Sequence, residues 1–152
     1  MLDIGCYCVH IIRKITRQMP SSVRAFSFNH DKGCDWTTVA SLHFKDDLIG
    51  LLDCSFEYQA DQSLSIVGTQ GHIKCDLPFG SYHDISLSLK TPNEFQTLSL
   101  PPTNRYISCI QDFHDKISHQ KFTPSPARDA IANLKILDAI AQASQTGQEV
   151  SL

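Results

Sequence analysis

Near the start of the chain, Asp3, Tyr7 and His10 set a carboxylate, a phenol and an imidazole at spacings of four and three. Residues so spaced are neighbours on a helix, so the three are expected along one edge at a helix start. Together they can hold, orient and move a proton, which makes them a candidate site. Each also has a structural alternative. Asp3 suits a helix N-cap, Tyr7 a buried ring with a wet hydroxyl, and His10 a structural role on a helix flank. Cys6 and Cys8 lie between them as a C-x-C pair, but a zinc site needs further ligands at comparable spacing. None follows, so no metal is expected. Cys8 and His10 are two apart and point to different sides of a helix, which excludes a nucleophile–base pair.

The elements that must position this set can be read from periodicity. Residues 3–18 follow a helical period, with Ile4, Cys8, Ile11, Ile12, Ile15 and Met19 apolar, Arg13, Lys14 and Arg17 on the wet side, and Pro20 as the stop. From Ser22 the period becomes two, which predicts strands over 23–29, 36–44 and 48–58. Asp31-Lys32-Gly33 and Lys45-Asp46-Asp47 are the intervening turns. Strands over 64–67 and 72–77 flank Gly68-Thr69-Gln70-Gly71, a hairpin in which glycine would supply a positive φ. Two further strands, 85–89 and 95–100, precede Pro101-Pro102. Helical period then returns in Tyr106, Ile110, Phe113 and Ile117, with Asn104 as the cap. After a connector over 121–125, a last helix starts near Pro126 and ends before Gly147. Val150-Ser151-Leu152 reads as a terminal strand. Strands followed by helices indicate an α+β fold: an N-terminal helix, an open and mostly antiparallel sheet, and two C-terminal helices packed on one face.

Composition narrows the partners. At 152 residues the chain suits a single domain. Its net charge of −3 and the lack of any basic run argue against nucleic acid. No apolar run reaches the ~20 residues of a membrane span. The six cysteines, Cys6, Cys8, Cys34, Cys54, Cys75 and Cys109, are expected to be buried free thiols in a cytoplasmic protein. Trp36, Phe44, Phe56 and Tyr58 read as packing on the sheet, and its exposed face as a surface for self-association. There is no G-x-G-x-x-G and no P-loop, so the chain lacks the usual cradle for a pyrophosphate.

Three segments resemble one family. Met1-Leu2-Asp3-Ile4-Gly5-Cys6-Tyr7-Cys8 is similar to the start of the C-terminal domain of the glucose–fructose oxidoreductase, inositol dehydrogenase and MocA (Gfo/Idh/MocA) family. Ile66-Val67-Gly68-Thr69-Gln70-Gly71-His72-Ile73 resembles its I-x-G-T-x-G-x-I hairpin. Residues 133–140 and Thr146-Gly147-Gln148 resemble its final helix and tail. Members are two-domain oxidoreductases that use NAD or NADP. Their N-terminal Rossmann domain binds the cofactor and supplies a catalytic lysine. Their C-terminal domain supplies substrate contacts and often the oligomer interface.

The resemblance implies that residues 1–152 are that second domain, with the cofactor domain and its lysine lying upstream. Tyrosine at position 7, where the inositol branch carries histidine, implies the branch of sugar and dihydrodiol dehydrogenases. Tyr7 and Asp3 then carry over as catalytic residues and His10 as a substrate-binding one. The lysine's ammonium would favour the Tyr7 phenolate, and Tyr7 would take the proton of a sugar or diol hydroxyl. Asp3 would orient the pair. The chain by itself is expected to bind neither NAD nor NADP and to be inactive, with a homo-oligomer formed through the sheet face. The alternative is a stand-alone dimerisation or binding module without redox activity.

Overall fold

The computed structural model describes residues 1–29, 33–59, 62–79, 83–119 and 125–152. In chain order these form α1 (Gly5–Thr16), β1 (Ser22–Asn29), β2 (Asp35–His43), β3 (Ile49–Ser55), β4 (Ser63–Gly68) and β5 (Gly71–Asp76). There follow β6 (Ile85–Lys90), β7 (Phe95–Leu100), α2 (Arg105–Ser118), α3 (Ser125–Thr146) and β8 (Val150–Ser151). The expected α+β class and element order hold. The strands divide into two four-stranded antiparallel sheets, β3-β2-β1-β8 and β4-β5-β6-β7. Two compact units contain them: Met1–Tyr58 with Thr123–Leu152, and Gln59–Phe122.

In the first unit, register decides which face becomes core. Val23 pairs with Leu42 and Ala25 with Ala40, while Phe26 pairs with Val39 on the opposite face. α3 lays Ile136, Leu137, Ala139, Ile140 and Ala143 into the first set, and α1 adds Val9. Leu42, Ile136, Ile140, Val9 and Val23 are fully buried, each stabilising the fold by about 1.5–3 kcal/mol. The α1 stripe therefore turns on Gly5, Val9 and Ile12. Ile15 and Met19, expected on it, are exposed. Phe44 also belongs to this core, whereas Trp36 meets Phe56 at 6.3 Å between ring centroids.

Local chemistry sets the ends of the elements. Arg17 adopts the left-handed conformation and donates its N–H to Arg13 O, stopping α1 before Pro20. Asp46 and Asp47 are left-handed too, in the predicted turn, a conformation that aspartate tolerates better than most residues. β8 is tied to β1 by the pairs Ser22–Ser151 and Val23–Val150. Glu149 accepts hydrogen bonds from Ser22 Oγ and from Arg24 Nη2, the latter at 2.8 Å.

In the second unit, Leu64 faces Cys75 and Ile66 faces Ile73 across one hairpin. Leu87 continues that apolar face beside Cys75. The glycines of this hairpin do not supply a positive φ as expected, since neither Gly68 nor Gly71 has one. Gly71 is needed for space: a Cβ there would come within 2.6 Å of Lys90 O on β6. α2 starts as predicted, with Asn104 Oδ1 accepting from the N–H groups of Tyr106 and Ile107 at 3.1 and 3.3 Å. None of its residues is buried. The Asp31-Lys32 part of the first predicted turn, and the connector at 121–124, lie outside the described residues. Among those described, no helix is long and apolar enough to cross a membrane.

Candidate functional site

α1 carries the three residues singled out by spacing. Tyr7 is 52% exposed and the His10 side chain 47%, one turn apart on the helix and away from the Val9 face. Asp3 is exposed in the turn that precedes the helix. It is not the N-cap: that position is Ile4, which is already helical in its backbone angles and has no capping hydrogen bond. The turn is closed by the backbone instead, with Cys6 N–H donating to Met1 O at 3.1 Å and Tyr7 N–H to Ile4 O at 3.2 Å. Among the described residues the Asp3 carboxylate has no hydrogen-bond partner, so capping does not account for it.

The start of the helix is packed rather than open. A Cβ at Gly5 would overlap Met1 Sδ and lie 3.1 Å from Cys54 Sγ. The N-terminal amino group pairs with Asp35. Cys54 Sγ stands 3.6 Å from Met1 Sδ. Burial, then Cys54, Asp53 and Cys6, push the Cys8 thiol up to about 11, which keeps it protonated and inert. Burial likewise pushes up Cys54. The six thiols are all free, as expected, but only Cys75 is buried, and Cys34 and Cys109 are exposed because they fall outside packed faces. Among the described residues no three His, Cys, Asp or Glu side chains come together in a way that could hold a metal ion. The glycine at this helix start makes room for Met1 and Cys54.

What holds α1 in place comes from α3. Arg13, expected on the wet side, has a side chain only 11% exposed. Its Nη2 donates to Asp129 Oδ1 at 2.9 Å and its Nη1 to Asp129 O at 3.1 Å. His10 Nδ1 stands 3.5 Å and Lys14 Nζ 3.6 Å from Asp129 Oδ2. One turn along α3, Asn133 Nδ2 donates to Cys6 O at 3.2 Å. Burial works to raise the Asp129 carboxyl, but Arg13 above all, then Lys14 and His10, hold it below the ordinary carboxylate value. Neither Asp129 nor Asn133 was singled out as a site residue, because each meets α1 across more than a hundred residues of sequence. The one available signal was the run of basic residues on α1 with no acidic partner three or four positions away.

The other side of the first sheet is uncovered. Phe26, Phe28 and Leu51 are 72%, 75% and 75% exposed. A shallow cavity of about 460 Å³ opens there between Arg24, Phe26, Val39, Ser41, Leu51 and Asp53.

Comparison with known proteins gives this arrangement a context. The family model of the GFO/IDH/MocA C-terminal domain matches residues 1–74. A trans-1,2-dihydrobenzene-1,2-diol dehydrogenase from Bos taurus is 28% identical over 103 residues, 67% of this chain and 30% of that protein. One from Macaca fascicularis is 31% identical over 72 residues, 47% of this chain and 22% of that protein. The chain thus matches less than a third of the length of these curated relatives. Among solved structures, a 3-ketoreductase from Actinomadura kijaniata in complex with NADP and TDP-benzene has a TM-score of 0.85 at 15% identity, over 93% of this chain and 45% of that one. An aldose–aldose oxidoreductase from Caulobacter crescentus, complexed with glycerol, has a TM-score of 0.82 at 18% identity, over 99% and 46%. These last two establish the fold, in each case against about half of a longer chain. Over residues 1–74 the chain is similar in sequence to the GFO/IDH/MocA C-terminal domain, and over nearly its whole length it shares the fold of these two solved structures.

Proposed function

We propose that this chain is the substrate-binding and dimerisation part of an oxidoreductase that uses NAD or NADP to act on a CH–OH group of a sugar or diol. The observation that carries the reading is Tyr7 on an exposed edge of α1, within the segment that matches the family model. The dehydrogenase names of the relatives and the NADP-bound neighbour support it. A nicotinamide bound by another part of the complete protein would accept the hydride. This chain supplies the proton chemistry. Tyr7 Oη takes the proton of the reacting hydroxyl, Asp3 orients Tyr7 or that hydroxyl, and His10 holds a second hydroxyl. The solvent-facing Phe26, Phe28, Val39 and Leu51 form the surface on which two copies meet. Free thiols on every cysteine suit the reducing cytoplasm.

The test is to express the complete coding sequence that contains this chain and measure NADP or NAD reduction with trans-1,2-dihydrobenzene-1,2-diol and with aldoses. Diol- or aldose-dependent turnover is expected. A folded protein that binds neither nucleotide nor substrate would overturn the reading in favour of a stand-alone binding or dimerisation module.

A further inference from the structure

Asp129 receives three side chains from one stretch of α1, and they do not play the same part. Arg13 bonds it twice, at the backbone carbonyl and at Oδ1 of the carboxylate, and the second of these bonds orients the carboxylate. Lys14 adds a second positive charge at 3.6 Å, and both cations favour the ionised form. His10 then approaches Oδ2 through Nδ1 at 3.5 Å. An ionised carboxylate accepts hydrogen bonds and has no proton to give. At 3.5 Å the pair is an ion-pair contact and not a formed hydrogen bond, yet a carboxylate facing Nδ1 favours the tautomer with its proton there, which leaves the lone pair on Nε2. Among the described residues Nε2 makes no hydrogen bond, and nearly half of the His10 side chain is exposed. Tyr7 lies one turn earlier on the same helix.

We propose that Asp129 is a positioning residue: it fixes His10 as the Nδ1–H tautomer and thereby makes Nε2 a hydrogen-bond acceptor for a hydroxyl of the sugar or diol. The acceptor role rests on the reading of this edge as substrate-facing, whereas the tautomer does not. This gives α3 a share in the site without touching substrate. It also explains why the carboxylate is clamped by Arg13 before it meets the histidine, since a freely rotating acceptor would not select one tautomer.

The test uses the 152-residue chain labelled with ¹⁵N, with long-range ¹H–¹⁵N spectra recorded at about pH 8, where an ordinary histidine is neutral. His10 is expected with a protonated Nδ1 and an unprotonated Nε2. Asp129→Ala should convert it to a mixture of tautomers while the amide spectrum keeps the folded pattern, and Asp129→Glu should restore the preference. The wild-type spectrum alone already decides whether the tautomer exists, even if a variant fails to fold. An Nε2–H tautomer in the wild type, or an unchanged tautomer in folded Asp129→Ala, would overturn the proposal. trans-1,2-Cyclohexanediol, titrated into the same samples, should move the Nε2 resonance in the wild type and not in Asp129→Ala. If the tautomer follows Asp129 but no diol shifts Nε2, Asp129 keeps its role and the substrate-facing reading of the edge falls.

Discussion

One face of the first sheet is roofed by α1 and α3, with Leu42, Ile136 and Ile140 shut away from water. The other leaves Phe26, Phe28 and Leu51 open to it. The same strands build both, and alternation alone decides which residue goes where. The covered face is tight enough to fix a helix: Gly5 has no room for a Cβ beneath it, and Asp129 and Asn133 grip its outer side. The proton-transfer role proposed for Tyr7 requires such a fixed helix, because chemistry of this kind depends on geometry held to a fraction of an ångström. The open face has the opposite character. Its large apolar side chains gain nothing from this chain alone, and a second copy is the partner proposed for them.

Substitutions on the two faces should therefore differ in kind. In the complete protein Tyr7→Phe, which removes the phenol proposed to transfer the proton and little else, should lower turnover about 100-fold or more with nucleotide affinity unchanged, as steady-state kinetics and fluorescence titration would show. On the covered face, Ile140→Ala should cost about 2–5 kcal/mol in urea unfolding. Leu51→Glu, on the open face, should shift unfolding by no more than about 0.5 kcal/mol yet convert a self-associating chain to monomer in sedimentation. A Leu51→Glu protein that unfolds like Ile140→Ala would erase the distinction between the faces.

Acid should act on the ties of α3 and β8. Asp129 and Glu149 have folded pKa values below their ordinary ones, Asp129 against the pull of its own burial and through Arg13, Glu149 through Ser22 and Arg24. Their contribution is present above the unfolded carboxylate value of about 4 and is lost as pH falls through the depressed folded values. Melting temperature should drop over that interval, and less steeply in a double Asp129→Asn, Glu149→Gln variant. The smallest effect is a difference in thiol reactivity. Exposed Cys34 and Cys109 should react with a thiol reagent at about pH 8 well before Cys8, whose thiol is pushed up to about 11.

Much of the fold was legible in the chain because its signals are local. β7 matches its expected span residue for residue, and Asn104 caps α2 as its type suggests. Gly147 stops α3 with a positive φ. Misreadings arose where a distant partner decides. Asp3 looked like a cap, but a backbone turn from Met1 to Tyr7 closes the helix start. Gly71 looked like a turn residue, while its reason is the Lys90 carbonyl on the next strand. Arg13 looked solvated because its partner lies on α3, 116 residues away. For the candidate site, the i, i+3 spacing of Tyr7 and His10 places them one turn apart on α1 as expected, whereas Asp3 falls in the turn before the helix and the ties from α3 could not be read from the sequence.

The most direct test of the account is a crystal structure of the complete enzyme with NADP and a bound diol. The account places Tyr7 Oη within about 2.6–3.2 Å of the reacting hydroxyl, with His10 against a neighbouring one and the first sheet's open face closed by a second copy. A diol bound on that open sheet face, with Tyr7 turned to bulk water, would contradict it.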